Sequence, residues 1–305
     1  MSEARKVFND KNRGPISWFR DKPEFSNHYC LYCGAFLADK KIPSNREHLI
    51  GREFVPSNSF DEGRAFNFIF RACVQCNSEK SQAERHISSI SLYSSHARVD
   101  PEINALAIRK ASKDFHPLEK GKLVCDAHSK HNFSLNKNEL SIDLKLIGPP
   151  QPDYAQLQVL AFRHIQGLFS LVTSEDPLKP AGINLLPPRN WWFGGAYPCS
   201  DWGNPSLIEI AERVKGWETP LYVITANGYF RSVLRIGKGE KAPWVWALEW
   251  NKSWRCFGGI CDPENLPQDF LNLPETPWIA VDSTTRIRPE TPLTDENDNL
   301  FFIQD

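Results

Sequence analysis

The order of apolar and polar positions predicts a chain that mixes helices with short strands. Residues 153–174 carry apolar side chains around most of a helical circumference, which is typical of a buried helix. Further helices are predicted over 77–93, 101–113 and 205–215. Strands are predicted where aromatic and β-branched residues cluster or alternate, at 46–50, 66–72, 122–125, 140–147, 221–225, 229–236 and 244–250. Helices and strands in this irregular order indicate an α+β fold.

The last predicted strand carries a stripe of tryptophan. Alternation places Trp244, Trp246, Leu248 and Trp250 on one face, and nine of the ten tryptophans follow residue 190. A tryptophan stripe is typical of a core, because the indole ring buries a large area. A face that stacks nucleic-acid bases has the same pattern. The stretch after Pro289 is acidic, and we expect it to be exposed and mobile.

The charge balance changes sign near the turn-forming stretch 148–152. Residues 1–150 carry 23 basic and 18 acidic side chains, a balance of +5, whereas residues 151–305 carry 13 and 19, a balance of −6. The basic half is consistent with DNA binding, although the net charge of the whole chain is only −1. We therefore predict a first domain over 1–100, a helix and connecting segment over 101–150, and a tryptophan-rich α+β domain of unknown role over 151–305.

No apolar signal sequence is evident at the N-terminus. The longest apolar run, 157–172, is interrupted by Arg163, His164 and Gln166, which favours a buried helix over a membrane span. The eight cysteines then indicate metal binding and free thiols rather than disulfides. We expect a cytoplasmic protein that does not bind membranes.

Two Cys-x-x-Cys pairs, Cys30/Cys33 and Cys73/Cys76, have the spacing of zinc knuckles. Together they predict a closed four-thiolate site for a structural Zn²⁺, the alternative being four reduced core thiols. Gly34 suits the first knuckle because it tolerates a positive φ. The 39 residues between Cys33 and Cys73 include Glu47-His48, a pair of the kind that hydrolytic metal sites use.

Taken in their order along the chain, the two Cys-x-x-Cys pairs and the Glu47-His48 pair between them resemble the motifs of the HNH, or ββα-metal, endonucleases. The resemblance runs from the first knuckle through Glu47-His48-Leu49-Ile50 to the stretch in which Cys76 is followed at once by Asn77, and it covers residues 28–90. It implies that the acidic-His dipeptide ends a first strand, that a loop leads to a second strand, and that the last signature residue lies in the helix after it. It also implies metal-dependent hydrolysis of DNA phosphodiester bonds.

The resemblance assigns a role to each signature residue. It makes His48 the general base, and it makes Glu47 and Asn77 the protein ligands of a catalytic Mg²⁺ or Mn²⁺. The middle Asn, which orients the base, corresponds to Asn67. Asn67 stands one residue further from Cys73 than the family pattern, so either the strand carries a bulge or Asn58 takes this role.

The helix after Cys76 presents further candidates. Helical spacing places Asn77, Lys80, Ser81 and Glu84 on one face and His86 on nearly the opposite face. Lys80, Arg71 and Arg85 are predicted to contact nucleic acid, although such residues are often solvated surface charges.

The expected partner is DNA, and an isolated site of this kind nicks one strand, so a double-strand cut needs a homodimer or two successive nicks. Fusion to an unfamiliar domain favours an antiviral-defence or restriction effector with partner proteins of that system, and mobile-element nucleases share the same chemistry. The competing function is a non-catalytic, zinc-stabilised module that binds nucleic acid or protein.

Overall fold

The structure is a computed structural model, and it describes residues 8–10, 14–16, 27–60, 67–94, 101–127, 129–137, 140–148, 150–173, 179, 191–239, 242–261, 272–274, 277–280 and 286–301. Within these ranges the chain forms four α-helices, a five-stranded antiparallel sheet and four two-stranded pairs. The predicted α+β class is therefore confirmed. No helix in these ranges is both long enough and apolar enough to cross a membrane.

The first half contains hairpins and two helices. In chain order the elements are β1 (Phe8–Asp10), β2 (Gly14–Ile16), β3 (Ser44–His48), β4 (Ile69–Cys73), α1 (Val74–Ser94), α2 (Pro101–Ala111), β5 (Ser129–Lys137) and β6 (Leu140–Gly148). Each strand pairs antiparallel with its neighbour in the chain.

The strand predicted over 122–125 is wrong, because a single bridge at Leu123 leads into a 3-10 turn there. The polar strand β5 was not predicted, because its sequence is poor in β-branched residues.

The second half is built on the five-stranded sheet. Its elements are α3 (Tyr154–Thr173), β7 (Trp191–Pro198), α4 (Pro205–Val214), β8 (Glu218–Thr225), β9 (Phe230–Ile236), β10 (Trp244–Trp250), β11 (Trp254–Ile260), β12 (Ile279–Ala280) and β13 (Arg286–Ile287). The sheet order is β7-β11-β10-β9-β8. The sequence did not predict β7 and β11, because paired glycines interrupt both strands. Gly258 is needed there, since a Cβ at that position would overlap the ring of Trp246.

The sheet lies between α3 and α4. Trp246, Leu248 and Trp250 share one hydrophobic cluster with α3, while Val245 and Ala247 pack with α4 on the other face. The predicted alternation is thus confirmed. Trp246 and Trp250 are fully buried, so these two rings belong to the core and are not available to stack on bases.

The same core continues into the first half of the chain. Leu49, Phe54 and Ile87 belong to the cluster that contains α3 and the inner face of the sheet. Residues on both sides of the boundary predicted at 150/151 therefore contribute to one core, and that boundary stays a prediction from composition.

The stretch after Pro289 is exposed over most of residues 290–297, as expected, but residues 300–301 at its described end pack into the core beside the sheet. Its mobility stays a prediction. Leu300 and Phe301 are buried beside α4. Asp298 accepts hydrogen bonds from the guanidinium of Arg255, which is itself buried. Leu300 and Phe301 follow the acidic residues, and the polar composition of the whole stretch gave no indication that this apolar pair is buried.

Candidate functional site

The candidate site is held by a short hairpin and the helix that follows it. Strand β3 pairs with β4 without a register shift, so that Glu47 lies opposite Phe70 and His48 opposite Ile69. Helix α1 begins directly after β4, at Val74, three residues before the predicted start. Asn77 therefore lies within the first turns of α1, close to the end of the hairpin.

The two knuckles bring four thiols together. The Sγ atoms of Cys30, Cys33, Cys73 and Cys76 lie within 4.8 Å of one another, and those of Cys33 and Cys73 are 3.8 Å apart. Four sulfurs bound tetrahedrally at about 2.3 Å lie about 3.8 Å apart, so the donor set fits zinc. Gly34 has a φ of 73° and donates to the carbonyl oxygen of Cys30, which closes the first knuckle. This four-cysteine group can hold a structural metal such as zinc.

The charge of the thiol cluster falls first on its exposed member. Hydrogen bonds from Cys30 and Cys76 lower the pKa of Cys33 to about 3, whereas the same kind of bonds to Cys30 and Cys33 raise the pKa of Cys76. A thiolate is the form that binds a metal, and a cation at the centre favours deprotonation of all four thiols. The cluster is thus prepared to take up a cation.

Glu47 is buried, with an exposed fraction of 4%. Its Oε1 accepts a hydrogen bond of 3.0 Å from the hydroxyl of Tyr32 and lies 2.8 Å from Lys80 Nζ. Burial raises the pKa of Glu47, and the adjacent ammonium of Lys80 opposes that shift. Tyr32 lies between the first pair of cysteines, so the thiol cluster and the carboxylate are directly connected.

Lys80 is also buried, at 1% exposure, and it connects three groups. Beyond Glu47, its Nζ lies 2.8 Å from Glu84 Oε1 and donates to the carbonyl oxygen of His48 at 3.0 Å. Burial alone would raise the pKa of Glu84, but Lys80 and His164 overcome it and lower that pKa to about 2. We call Glu47, Lys80 and Glu84 the ion triad.

His48 ends β3 with its imidazole half-buried. Its Nε2 is buried and has no hydrogen-bond partner within the described part of the chain. Burial lowers the pKa of His48, and the positive charges of Arg46, Arg52 and Lys80 lower it further. The ring is therefore neutral near pH 7, which is the state that accepts a proton.

The two candidate asparagines have different surroundings. Asn67 forms two hydrogen bonds with the backbone of Ile50, from Nδ2 to the carbonyl oxygen at 2.8 Å and from the amide to Oδ1 at 3.1 Å. It therefore braces the segment after His48. Asn58 is exposed in the loop at a φ of 64°, and β4 has no bulge. Asn77 donates to Asn45 Oδ1 at 2.7 Å and accepts from Ser81 at 3.3 Å.

A cavity of about 770 Å³ lies over these residues. Glu47, His48 and Asn77 line it, as do Lys80, Ser81 and Glu84, which agrees with the face predicted from helical spacing. Seven lysine and arginine side chains and four carboxylates line the cavity, so it is positive in a chain whose net charge is −1. A pocket with these groups attracts anions.

The three predicted nucleic-acid contacts lie in different places. Arg85 is exposed and lines the cavity. Lys80 lines it too, but its ammonium is committed to the ion triad. Arg71 lies outside the cavity lining, where its guanidinium bonds Ser44 Oγ and its backbone bonds Asn27. Arg71 therefore does not line this cavity, and its contact with nucleic acid stays a prediction.

Helix α3 packs against the site from the second half of the chain. Arg163 Nη2 lies 2.7 Å from Glu79 Oε2, and Gln166 donates to the carbonyl oxygen of Tyr32. His164 Nε2 lies 3.6 Å from Glu84 Oε1, while its Nδ1 accepts from Trp250 Nε1 at 3.2 Å. A polar chain thus runs from the central sheet to the ion triad.

No family model, curated protein or solved structure matches this chain.

Sequence reasoning missed several residues of the cavity, namely Arg46, Arg52, Arg109, Lys110 and Lys113. The spacing of Arg109 and Lys113 places them on one helical face, which was a usable signal. It carried no weight alone, because basic residues on an exposed helix face are common.

Proposed function

We propose that this protein is a metal-dependent endonuclease of the HNH type that hydrolyses DNA phosphodiester bonds, with His48 as its general base. One observation carries the proposal. A histidine that is neutral near pH 7 has its Nε2 without a hydrogen-bond partner among the described residues, in a positively lined cavity that also holds a carboxylate and an amide. A neutral imidazole in the wall of a cavity that attracts anions is what the general base of phosphodiester hydrolysis needs.

Two side chains that line the cavity carry oxygen atoms of the kind that bind a divalent cation. Glu47 and Asn77 both line the cavity, and the described contacts of Glu47 engage Oε1 and leave Oε2 as a second oxygen. Asn77 uses Nδ2 as donor to Asn45, and its Oδ1, which accepts from Ser81 at 3.3 Å, is the oxygen it offers to a cation. These oxygens suit Mg²⁺ or Mn²⁺, which when bound would offset charge on the phosphate and the leaving oxygen.

The remaining steps belong to the protein itself. The imidazole of His48 takes a proton from the attacking water, while the carbonyl oxygen of His48 is held by Lys80 and the following backbone by Asn67. Exposed basic side chains around the cavity bind the phosphates. One histidine base per site cuts one strand, so the expected product is a nick.

A second function is favoured by the ion triad. Lys80 already neutralises Glu47, so the carboxylate has a cationic partner without any added metal. In a non-catalytic module, the zinc cluster would hold the basic cavity in shape and the triad would be purely structural.

Nicking of a supercoiled plasmid separates the two functions. We expect the purified, zinc-loaded protein to convert plasmid to the nicked form with Mg²⁺ or Mn²⁺, and not when both of these ions are left out. His48→Ala abolishes nicking while zinc content and the circular dichroism spectrum stay unchanged. His28→Ala is the matched control, because this half-buried histidine of the same module does not line the cavity.

Two outcomes contradict the nuclease. His48→Ala protein that nicks at the wild-type rate excludes His48 as the base. Wild-type protein that binds DNA but leaves intact, with both metals, a single strand and a plasmid whose negative supercoiling opens short unpaired segments favours the binding module.

A further inference from the structure

Helix α2 contributes a basic wall to the cavity, although it lies outside the segment that carries the HNH resemblance. Arg109, near the end of α2, and Lys113, in the turn after it, are exposed and line the cavity. Lys110 fixes this wall in place, because its Nζ bonds Ser88 Oγ on α1 at 3.0 Å and also the carbonyl oxygen of Glu53. The bonds of Lys110 therefore hold the positive charges of Arg109 and Lys113 in a fixed position beside the cavity.

The hairpin and α1 supply the matching positive charges. Arg46 on β3, Arg52 in the loop and Arg85 on α1 are exposed and line the same cavity. Four carboxylates line the same cavity: Glu47 and Glu84 are paired with Lys80, Asp114 accepts a hydrogen bond from Ser89, and Glu53 is the fourth. Basic groups thus reach the cavity from separate elements, which suits a chain of phosphates that passes through it.

The depth of the site limits what can reach His48. His48 lines the cavity with a half-buried imidazole, so a reacting phosphate has to enter the cavity to approach it. A volume of about 770 Å³ is in the range that encloses one small-molecule ligand, which corresponds to a few linked nucleotides. A sphere of this volume is about 11 Å across, so double-stranded DNA, whose major groove alone is about 12 Å wide, does not fit inside the cavity with its strands paired.

The lining also indicates how the strand is held. Among the described residues that line the cavity, the single Phe, Tyr or Trp is Phe54, which is almost fully buried. Base stacking on an exposed ring is the usual means of holding bases without pairing. Its absence from this lining leaves the phosphates as the recognised groups, which predicts little dependence on base sequence.

From these observations we infer that the cavity binds an unpaired DNA strand and that Arg109 and Lys113 of the α2 wall contact phosphates on either side of the one presented to His48. The inference rests on the proposed nuclease function for the identity of the ligand. Beyond that function, it specifies that the bound DNA strand is unpaired and that Arg109 and Lys113 contact its phosphates.

Binding can be tested apart from cleavage. Zinc-loaded His48→Ala protein, with no Mg²⁺ or Mn²⁺ added, is titrated onto a fluorescein-labelled single-stranded DNA 12-mer and onto the same sequence as a blunt duplex, with anisotropy as readout. The single strand is expected to bind at least about tenfold more tightly at moderate salt. Adding Arg109→Ala and Lys113→Ala reduces the slope of log affinity against log salt by about 0.7 for each phosphate that is no longer neutralised.

The matched control is the double substitution Lys120→Ala and Lys145→Ala, which removes two exposed lysines that do not line the cavity. It is expected to leave both affinity and slope unchanged. Equal effects of the two double variants, or duplex binding as tight as single-strand binding, overturn the inference.

Cleavage distinguishes this inference from the proposed function. Wild-type protein with Mn²⁺ is given the single strand, the duplex and a duplex with a single-stranded gap. Cleavage confined to the single strand and the gap agrees with both proposals. Equal cleavage of the intact duplex overturns the strand-state inference and leaves the nuclease standing. Tight single-strand binding without any cleavage keeps the inference and excludes the nuclease.

Discussion

The ion triad makes a sharp prediction for Lys80→Met, which keeps the length of the side chain and removes its charge. Lys80 is 1% exposed and lies 2.8 Å from a carboxylate oxygen of both Glu47 and Glu84. Without the ammonium, the two oxygens are at most roughly 5.6 Å apart and repel by about 3 kcal/mol at an effective dielectric constant of about 20. Breaking a buried ion pair by removing one partner costs about 3–5 kcal/mol, a range that contains this value.

The free energy of unfolding is measured by urea titration with tryptophan fluorescence, in saturating Zn²⁺. Lys80→Met is expected to lower it by about 3–5 kcal/mol. The control is Lys41→Met, whose side chain is 85% exposed and pairs with Asp39 at 3.5 Å. An exposed pair of this kind contributes less than about 1 kcal/mol.

A double variant tests the cause of the effect. Lys80→Met combined with Glu84→Gln removes one of the two facing charges, so it is expected to be more stable than Lys80→Met alone. A loss below about 1 kcal/mol for Lys80→Met shows that the triad is not buried as described. A double variant that loses the sum of both single effects shows that charge repulsion is not the cause.

Three further predictions concern the metal, the pH dependence and the C-terminal stretch. Cys33→Ser and Cys76→Ser are each expected to remove the bound zinc, measured by plasma mass spectrometry on dialysed protein, and a full equivalent of zinc in either variant contradicts the cluster. Burial lowers the pKa of His86 to about 4, below an unfolded value of about 6.5, so the unfolded state binds more protons and stability falls as the pH drops through that window. Wild-type protein is therefore expected to lose up to about 3 kcal/mol more between pH 7 and pH 4 than His86→Gln, and parallel curves exclude this source. Phe301→Ala removes a buried ring and is expected to cost about 3 kcal/mol, more than Ile287→Ala at a site that is 41% exposed, and equal losses contradict the packing.

Local patterns predicted the parts of this fold that short-range geometry controls. The knuckle spacing placed four thiols in one cluster, because each pair is fixed by its own turn. The stripe from Asn77 to Glu84 lines one cavity, because helical periodicity sets it. The alternation of side chains along β10 correctly assigned them to the two faces of the sheet, because successive residues of a strand point to opposite faces.

Contacts between distant segments were not predictable. Lys80 has the sequence context of a solvated surface charge, and only the return of β3 and α3 against α1 buries it. Asn67 was expected to orient the histidine, and its bonds to Ile50 depend on the path of the whole loop. Strands β7 and β11 depend on each other, since their glycines admit large rings from neighbouring strands.

The polar residues that interrupt the apolar run of α3 show how the two halves are joined. In the sequence, Arg163, His164 and Gln166 served to exclude a membrane span. In the structure each one contacts the part of the chain that carries the four thiols, at Glu79, Glu84 and the carbonyl oxygen of Tyr32 respectively. The second half therefore helps to hold the candidate site, whatever else it binds.

Gly167, which follows Gln166 in α3, allows a test of how closely α3 packs against the candidate site. A Cβ at Gly167 would overlap the side chain of Leu49, which is fully buried and directly follows His48. Overpacking of a core costs about 1–3 kcal/mol, whereas alanine in place of glycine gains about 1 kcal/mol in a helix. Gly167→Ala is thus expected to lower the free energy of unfolding by about 1 kcal/mol.

Gly216→Ala provides the matched control, because a Cβ there meets no atom within 4 Å. Gly167→Ala protein that is more stable than wild type would show that α3 does not press on the segment after His48. A loss of stability together with slower plasmid nicking, at unchanged zinc content, would show that this packing also positions the base. The helix of the second half would then be part of the catalytic frame, because the displaced Leu49 is the residue through which it reaches His48.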